Sequence, residues 1–532
     1  MVSGSGRIFA PRLHVLALLM ATASFGCTGT FDASDSPAGQ NPDVGGPGPG
    51  PGGAALVGPE PIRRLTRTEL QHTLEDALGV TVADRVWNSF PDDARTPFDN
   101  DVSNQSISNS LFLGVRQLAS SIASQVESQP ELLVSCDLGE AGCLRDAAST
   151  TGARILRRPL RDEEVTELVA VAAPFDGRAR LGLIVEALLL DPEFLFRIER
   201  GPVTNGAQQL DGSSIANRLS MLLWGSGPDD TLLARGGSDD LRDPGVRLEE
   251  ARRMLADPRA ARQMDRFFGL WLGYESTIPP GDLGNDLRRE SAELVRRVVL
   301  DEQLPLAEIF RFPETFVTPQ LADHYGLPPV DEPSWVSYSS PVRAGILSHG
   351  SYLSTGSPSG PTSVTFRGQN VLERLLCAGL PTPTEDVVDE PPGMGECKED
   401  IWNMATVDGC KSCHILMDGI GTGLEQYGSL GQFREEQPGR PGCRTQETGT
   451  LPGGSEAFSG PGALGRAVAE NEGLLECFVV QVSRFALGKA DLHEAPAQLI
   501  EARDAFLENP TVTQLLEAIV QSDSFIVREV PQ

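Results

Sequence analysis

Apolar residues recur along this chain with a helical period, not the alternating period of strands. Leu70, Leu74 and Leu78 follow Thr66-Arg67-Thr68-Glu69, a capping-box pattern that starts a helix. Leu111, Val115, Leu118 and Ile122 predict an amphipathic helix over residues 107–126. Three shorter helices are expected next: Arg154 to Arg157, one opening at Leu160 behind Pro159, and Arg180 to Leu190. Leu188 to Phe196 is dense enough in apolar residues to be core between helices. Ile215 to Trp224 reads as a strongly apolar helix stopped by Gly225 and Pro228, and Asp229 caps its successor. Arg218 on that helix, with acids nearby, predicts a buried ion pair. A helix runs from Leu248 to Ala256. Another opens at Asp257-Pro258-Arg259 and carries Met264, Phe267, Phe268, Leu270 and Trp271 as a core stripe. Arg367-Gly368-Gln369 opens a helix ending at Cys377, and the last apolar pieces are Leu474 to Gly488 and Val512 to Ile519. With no period-two runs and no fixed-period repeat, the expected fold class is all-α (mainly α): several helical domains joined by long loops.

Punctuation divides this pattern. Residues 1–27 carry Arg7, Arg12 and His14 ahead of the short apolar run Val15 to Ala21, the layout of a signal peptide. Cys27 ends Ser24-Phe25-Gly26-Cys27, which resembles a bacterial lipoprotein box with Ser where Leu is usual, so Cys27 is a candidate for lipidation. Residues 28–58, rich in Gly and Pro, read as a tether. Helical domains are then expected over 59–130, 131–205 and 206–335, a loop-rich domain over 336–435 and a C-terminal helical domain over 436–532. No later segment reaches 18 apolar residues, so any membrane contact is expected only through an N-terminal lipid anchor. The expected location is the periplasm or the outer-membrane-anchored cell surface.

Composition adds little except in its charge. The 44 Lys and Arg against 74 Asp and Glu give −30, which argues against nucleic acid and against anionic lipid surfaces as partners.

The chemistry concentrates at Cys410-Lys411-Ser412-Cys413-His414. A C-x-x-C-H run reads as covalent c-type haem attachment, because two thiols three positions apart can each add to one vinyl group of a porphyrin. The adjacent imidazole then lies under the iron. A zinc half-site would want a second ligand pair nearby and a redox C-x-x-C a βαβ setting; neither follows from the surrounding sequence. The cofactor expected is therefore haem c with its iron, bound through Cys410, Cys413 and His414. For the sixth iron position no Met follows Met417, and Met417 shares a helix face with His414. The candidates are Met404 and Met394, then His349 in the preceding loop, then His493. Setting aside Cys27, Cys410 and Cys413, six of the nine cysteines remain, an even number that favours three disulfides in an exported chain. Proximity pairs Cys136 with Cys143, Cys377 with Cys397 and Cys443 with Cys477, among fifteen possible arrangements.

The order of short motifs resembles a bacterial family of large exported proteins, abundant in planctomycetes and myxobacteria. Its members carry several helical domains of uncharacterised role around a cytochrome c-like haem segment. The resemblance rests on Leu65-Thr66-Arg67-Thr68-Glu69-Leu70, Leu156-Arg157-Arg158-Pro159-Leu160, Arg218-Leu219-Ser220 with Trp224, and Pro228-Asp229-Asp230. It continues through Arg253 to Arg259, Leu321 to Gly326, Arg343 to Leu347 and Arg367-Gly368. Beyond the C-x-x-C-H run come Met417-Asp418-Gly419-Ile420-Gly421, Glu425, Tyr427 and Arg484 to Gly488. Gly419 stands where the family often has Pro, and Tyr427-Gly428 where it has a Phe-Asp pair. The resemblance spans roughly residues 60–532 and implies architecture and haem, not a reaction.

Three functions remain open from the residues: a single-haem electron carrier working with a redox partner protein, a surface scaffold or binding protein for envelope polysaccharide with ancillary haem, and a haem oxidoreductase or peroxidase. No Arg-His distal pair, Ser-His-Asp set or paired carboxylates stand out by spacing, and the electron carrier is the leading expectation.

Overall fold

The computed structural model describes residues 62–340, 342–357, 362–380, 395–401, 410–452 and 457–530. The expected signal peptide, Cys27, the Gly/Pro tether, Met394 and Met404 lie outside the described residues.

The chain is mainly helical, with two hydrophobic cores. The first gathers α1 (Arg67–Leu78), α2 (Asn109–Ser128), α3 (Ala141–Leu156) and α4 (Arg178–Leu189). Helix α1 begins at the predicted capping box: Glu69 N donates to Thr66 Oγ1 at 3.1 Å and Thr66 N to Glu69 Oε2 at 2.9 Å. Leu70, Leu74, Leu111, Leu118, Ile122, Ile184 and Leu188 fill this core with almost no exposure. The short helix expected at Arg154 to Arg157 is the last turn of α3. Arg157 ends it in the left-handed region (φ 60°) because its buried guanidinium donates to the carbonyls of Ile155, Phe194 and Phe196, a tertiary demand that local pattern does not carry.

The second core runs from Leu210 to Phe525 and takes in Phe98 from the N-terminal part of the chain. It contains α5 (Gly212–Leu223), α6 (Pro258–Leu272), α7 (Asp282–Arg296), α8 (Val364–Asn370), α9 (Lys411–Thr422), α10 (Glu472–Leu487) and α11 (Val512–Gln521). Its centre is aromatic: the Trp271 and Phe478 rings lie 5.1 Å apart, and Phe267 and Phe485 5.3 Å. The stripe on α6 therefore meets α10, so the middle and the end of the chain share one interior. Helix α8 starts three residues before the expected Arg367, and continues as a π turn over Val371–Leu375. Arg218 makes the predicted ion pair, its Nη2 donating to Glu199 Oε2 at 2.8 Å.

Strands are short antiparallel ladders. β1 (Arg63–Arg64) pairs with β2 (Phe196–Arg197), and β3 (Val203–Thr204) and β4 (Ala207–Gln209) form a sheet with β9 (Val527–Glu529). β5 (Glu314–Val317) pairs with β6 (Ser334–Ser337), and β7 (Thr448–Thr450) with β8 (Ala457–Ser459).

Three disulfides are formed, and two of the three expected pairings are corrected. Cys136 bonds Cys143 as expected, but Cys377 bonds Cys477 and Cys397 bonds Cys443. Nearness along the chain misleads because the end of the π turn packs on α10. Gln481 and Trp271 both donate to the Arg374 carbonyl there, which brings Cys377 to Cys477 across a separation of 100 residues. Among the described residues, no helix is long and apolar enough to cross a membrane. Three disulfides are compatible with an exported protein.

Closing a 100-residue loop restricts the unfolded chain more than closing one of 7. Replacing Cys377 and Cys477 by Ala should therefore cost about 2 kcal/mol more than replacing Cys136 and Cys143. Parallel thermal melts of the two double variants check this; equal losses would contradict it.

Candidate functional site

Helix α9 carries the C-x-x-C-H run in its first turn. Cys410 occupies the N-cap position, and its carbonyl accepts from Cys413 N at 3.3 Å and His414 N at 3.1 Å. Both thiols are free and half-buried, whereas the other six described cysteines are all in disulfides. His414 and Asp418 stand one turn apart on α9, and Nδ1 of the imidazole meets Asp418 Oδ2 at 3.0 Å. The second carboxylate oxygen accepts from Thr365 Oγ1 on α8 at 2.8 Å. A carboxylate on Nδ1 fixes the ring orientation and tautomer and leaves Nε2 as the electron-pair donor, the arrangement that metal-binding histidines use. The i, i+4 spacing of His414 and Asp418 is visible in the sequence, yet Asp418 was not among the expected site residues.

The backbone of α9 is held at several points where no side chain would fit. A Cβ on Gly421 would lie 1.8 Å from the Val364 carbonyl oxygen, and one on Gly368 1.8 Å from that of Met417. Helices α8 and α9 thus cross antiparallel with their main chains in contact. On another side a Cβ on Gly423 would fall 2.9 Å from Gly449 N of β7. Beneath the crossing lies Arg367, buried, donating to the carbonyls of Leu424, Tyr427 and Gly428 and standing 3.4 Å from Glu425. Lys398 and Arg434 also reach Glu425, each at 3.2 Å. Burial alone would raise the Glu425 carboxyl, but these three cations hold it below its ordinary value.

Of the other expected ligands, only His349 and His493 lie among the described residues, and neither shares a hydrogen bond with His414. Met417 is buried in the core. His493 is exposed in the loop after α10. His349 is fully buried in a separate polar pocket on α7, where Nδ1 meets Ser291 Oγ at 3.0 Å and Nε2 stands 3.6 Å from Glu290 Oε1. Its partners share no residue with those of His414. His324 Nε2 is taken by the Leu430 carbonyl at 2.9 Å.

Serine, histidine and carboxylate in line suggest a catalytic set on paper. None of the three has any exposure, so no substrate reaches them, and the group is a core network. Burial pushes the Glu290 carboxyl up to about 8, against donation from Thr315 (2.6 Å) and Tyr325 (2.7 Å). Burial first, then Arg343, holds His349 down to about 3. Both groups are therefore neutral at pH 7, and the 3.6 Å approach is not an ion pair.

Three segments of the chain match domains of unknown function. They are PSD3 (DUF1587) over residues 63–127, PSD4 (DUF1592) over 210–327 and PSCyt3 (DUF1588) over 343–437. No curated protein and no solved structure matches the chain. The C-x-x-C-H helix, both helices of the glycine crossing and the Arg367–Glu425 cluster all fall inside PSCyt3. Among the described residues no group of three or more His, Cys, Asp and Glu is arranged to hold a metal ion. Covalent haem asks less of the chain, two thiols and one imidazole, and Cys410, Cys413 and His414 fit that demand.

Two outcomes follow. Gly421→Ala forces α8 from α9 and should cost about 3 kcal/mol, read by denaturant unfolding; a loss below about 0.5 kcal/mol, the range of an unhindered surface substitution, would contradict it. The buried pair should also shape stability against pH. Glu290, raised from 4.5 to about 8, loses stability as pH climbs through that window, while His349, lowered from 6.5 to about 3, loses it as pH falls through its own. The two slopes oppose between 4.5 and 6.5, leaving Glu290 alone above 6.5. Wild type should lose on the order of 1–2 kcal/mol relative to Glu290→Gln from pH 6.5 to 8. Asp265, raised to about 7 by burial, is common to both proteins and cancels in the difference.

Proposed function

We propose that the chain is an exported c-type haem protein, with one haem joined to Cys410 and Cys413 and His414 as an axial ligand, acting as a one-electron carrier at the cell envelope. The observation that carries this reading is the pair of free thiols in the first turn of α9, beside an imidazole already oriented by Asp418. The PSCyt3 segment, whose short name contains the abbreviation for cytochrome, encloses all of these residues. Two exposed apolar side chains, Phe366 on α8 and Ile415 on α9, adjoin Thr365 and His414 in sequence and offer surface that a porphyrin would cover. Bound there, haem supplies a one-electron couple. The chain's own part is to fix the imidazole through Asp418 and Thr365, and to keep α9 stationary through its glycine contacts.

An envelope redox partner protein is part of this reading, and envelope polysaccharide is the partner in the scaffold alternative. The carrier reading is favoured because Asp418 and Thr365 orient an imidazole that a scaffold would have no need to orient.

Expression with a c-type maturation system should give a haem-stained band that survives denaturation, and Cys410→Ala should lose the stable attachment. Asp418→Asn should keep the covalent band but shift the reduction potential, because the imidazole loses its anionic partner. A wild-type band that sheds its haem on denaturation would overturn the reading.

A further inference from the structure

A second site, with no lining residue from α9, lies where the first core, α5 and the C-terminal helices meet around a cavity of about 90 Å³. One wall is apolar, made by Met221 of α5, Phe485 of α10, Leu499, Ile519 of α11 and Phe525. The opposite end is cationic. Arg63 and Arg197 face each other directly across the β1–β2 ladder, and both line the cavity. Like charges in opposed positions repel unless an anion stands between them.

The arginines differ in what already holds them. Arg218, also lining the cavity, is bonded to Glu199 and to the carbonyls of Phe525 and Val527. Arg63 has a partner too. Arg197 is 9% exposed, and its guanidinium has no hydrogen bond or ion pair among the described residues; its Nε is buried without a partner. Glu69 and Glu199 are near enough to feel the Arg197 charge, but their bonds go elsewhere: Glu199 to Arg218, and Glu69 to Thr66 N and, at 3.5 Å, Arg266. Glu529 lines the same cavity, so a ligand must outcompete it for the guanidinium. Two further polar atoms on this cavity's lining residues are buried without partners, Gln498 Nε2 as donor and Asn100 Oδ1 as acceptor.

We propose that this cavity binds a small organic anion with an apolar body, its carboxylate or equivalent oxyanion paired with Arg197 and its body against Met221, Phe485 and Ile519. A planar guanidinium matches a carboxylate with two parallel bonds, which a point charge could not. Volume restricts the body to a short aliphatic chain or a single ring. The site draws on segments 63–127 and 210–327, on Arg197 between them and on the C-terminal helices together, so occupation ties them to one another.

The test uses the full chain titrated by calorimetry and thermal melts with butyrate and benzoate, their neutral amides butyramide and benzamide, and inorganic phosphate. Saturable binding of one carboxylate, at least tenfold tighter than its amide and than phosphate, is expected. Arg197→Met should abolish that binding and leave the unliganded melting temperature equal or higher, because it removes a buried charge that makes no hydrogen bond while Glu69 and Glu199 keep Arg266 and Arg218. A structural arginine would instead lower it. Amides or phosphate binding as well as the carboxylates, no saturation by either carboxylate, or an Arg197→Met protein that melts earlier would each overturn the proposal. Ile519→Phe, which fills the apolar end and leaves the charge in place, should weaken binding at least tenfold; unchanged affinity would overturn the placement of the body.

Discussion

The contact on which the C-x-x-C-H region depends is the meeting of two helix backbones at Gly368 and Gly421, over the buried Arg367–Glu425 pair. A buried arginine and glutamate are costly to desolvate, and the cost is offset only when each finds enough partners. Here Arg367 spends its donors on three carbonyls of the turn after α9, and Glu425 collects Lys398 and Arg434 as well. The cluster thereby joins α8, the exit of α9 and the arm that Cys397–Cys443 closes. Remove the glycines and the arginine loses its carbonyls; remove the arginine and the turn after α9 loses its donors.

A similar economy governs the other buried polar groups, with a different result. Around Glu290 and His349 burial wins over charge: Thr315 and Tyr325 donate to the Glu290 carboxyl and Ser291 meets His349 Nδ1, while His349 Nε2 is left without a hydrogen bond. At Arg197 the fold supplies nearby acids but no hydrogen-bond partner for Nε. The three places share one solvent condition and differ in how many acceptors and donors the fold delivers to each.

Local rules reached far in this sequence. Caps at Thr66, Asp229 and Asp257, the apolar stripe of α6 and the ion pair of Arg218 all follow from spacing within a few residues, and all are present. What spacing could not carry were contacts between distant segments. Cys377 and Cys397 are near in the chain, but Cys377 is delivered to α10 by the packing of the π turn, and nothing local to either cysteine encodes that. The turn at Arg157 is set by carbonyls some forty residues away. At α9 the C-x-x-C-H run was legible and the orienting carboxylate was legible in principle, since four residues separate it from the imidazole. Thr365, Gly368 and Arg367 belong to another helix, and only the fold brings them to it.

The glycine crossing has a consequence for any change of charge state at His414. A site that alters its charge pays for every dipole that must turn in response, and the largest fixed dipoles nearby are those of the peptide groups in α8 and α9. Because the two main chains touch, neither can slide or tilt without collision, and the response is left to side chains and solvent. The pair of helices acts as a stiff dielectric: polar throughout, yet unable to follow. A wedge as small as one methyl group at position 421 would soften that medium before it altered Cys410, Cys413 or His414.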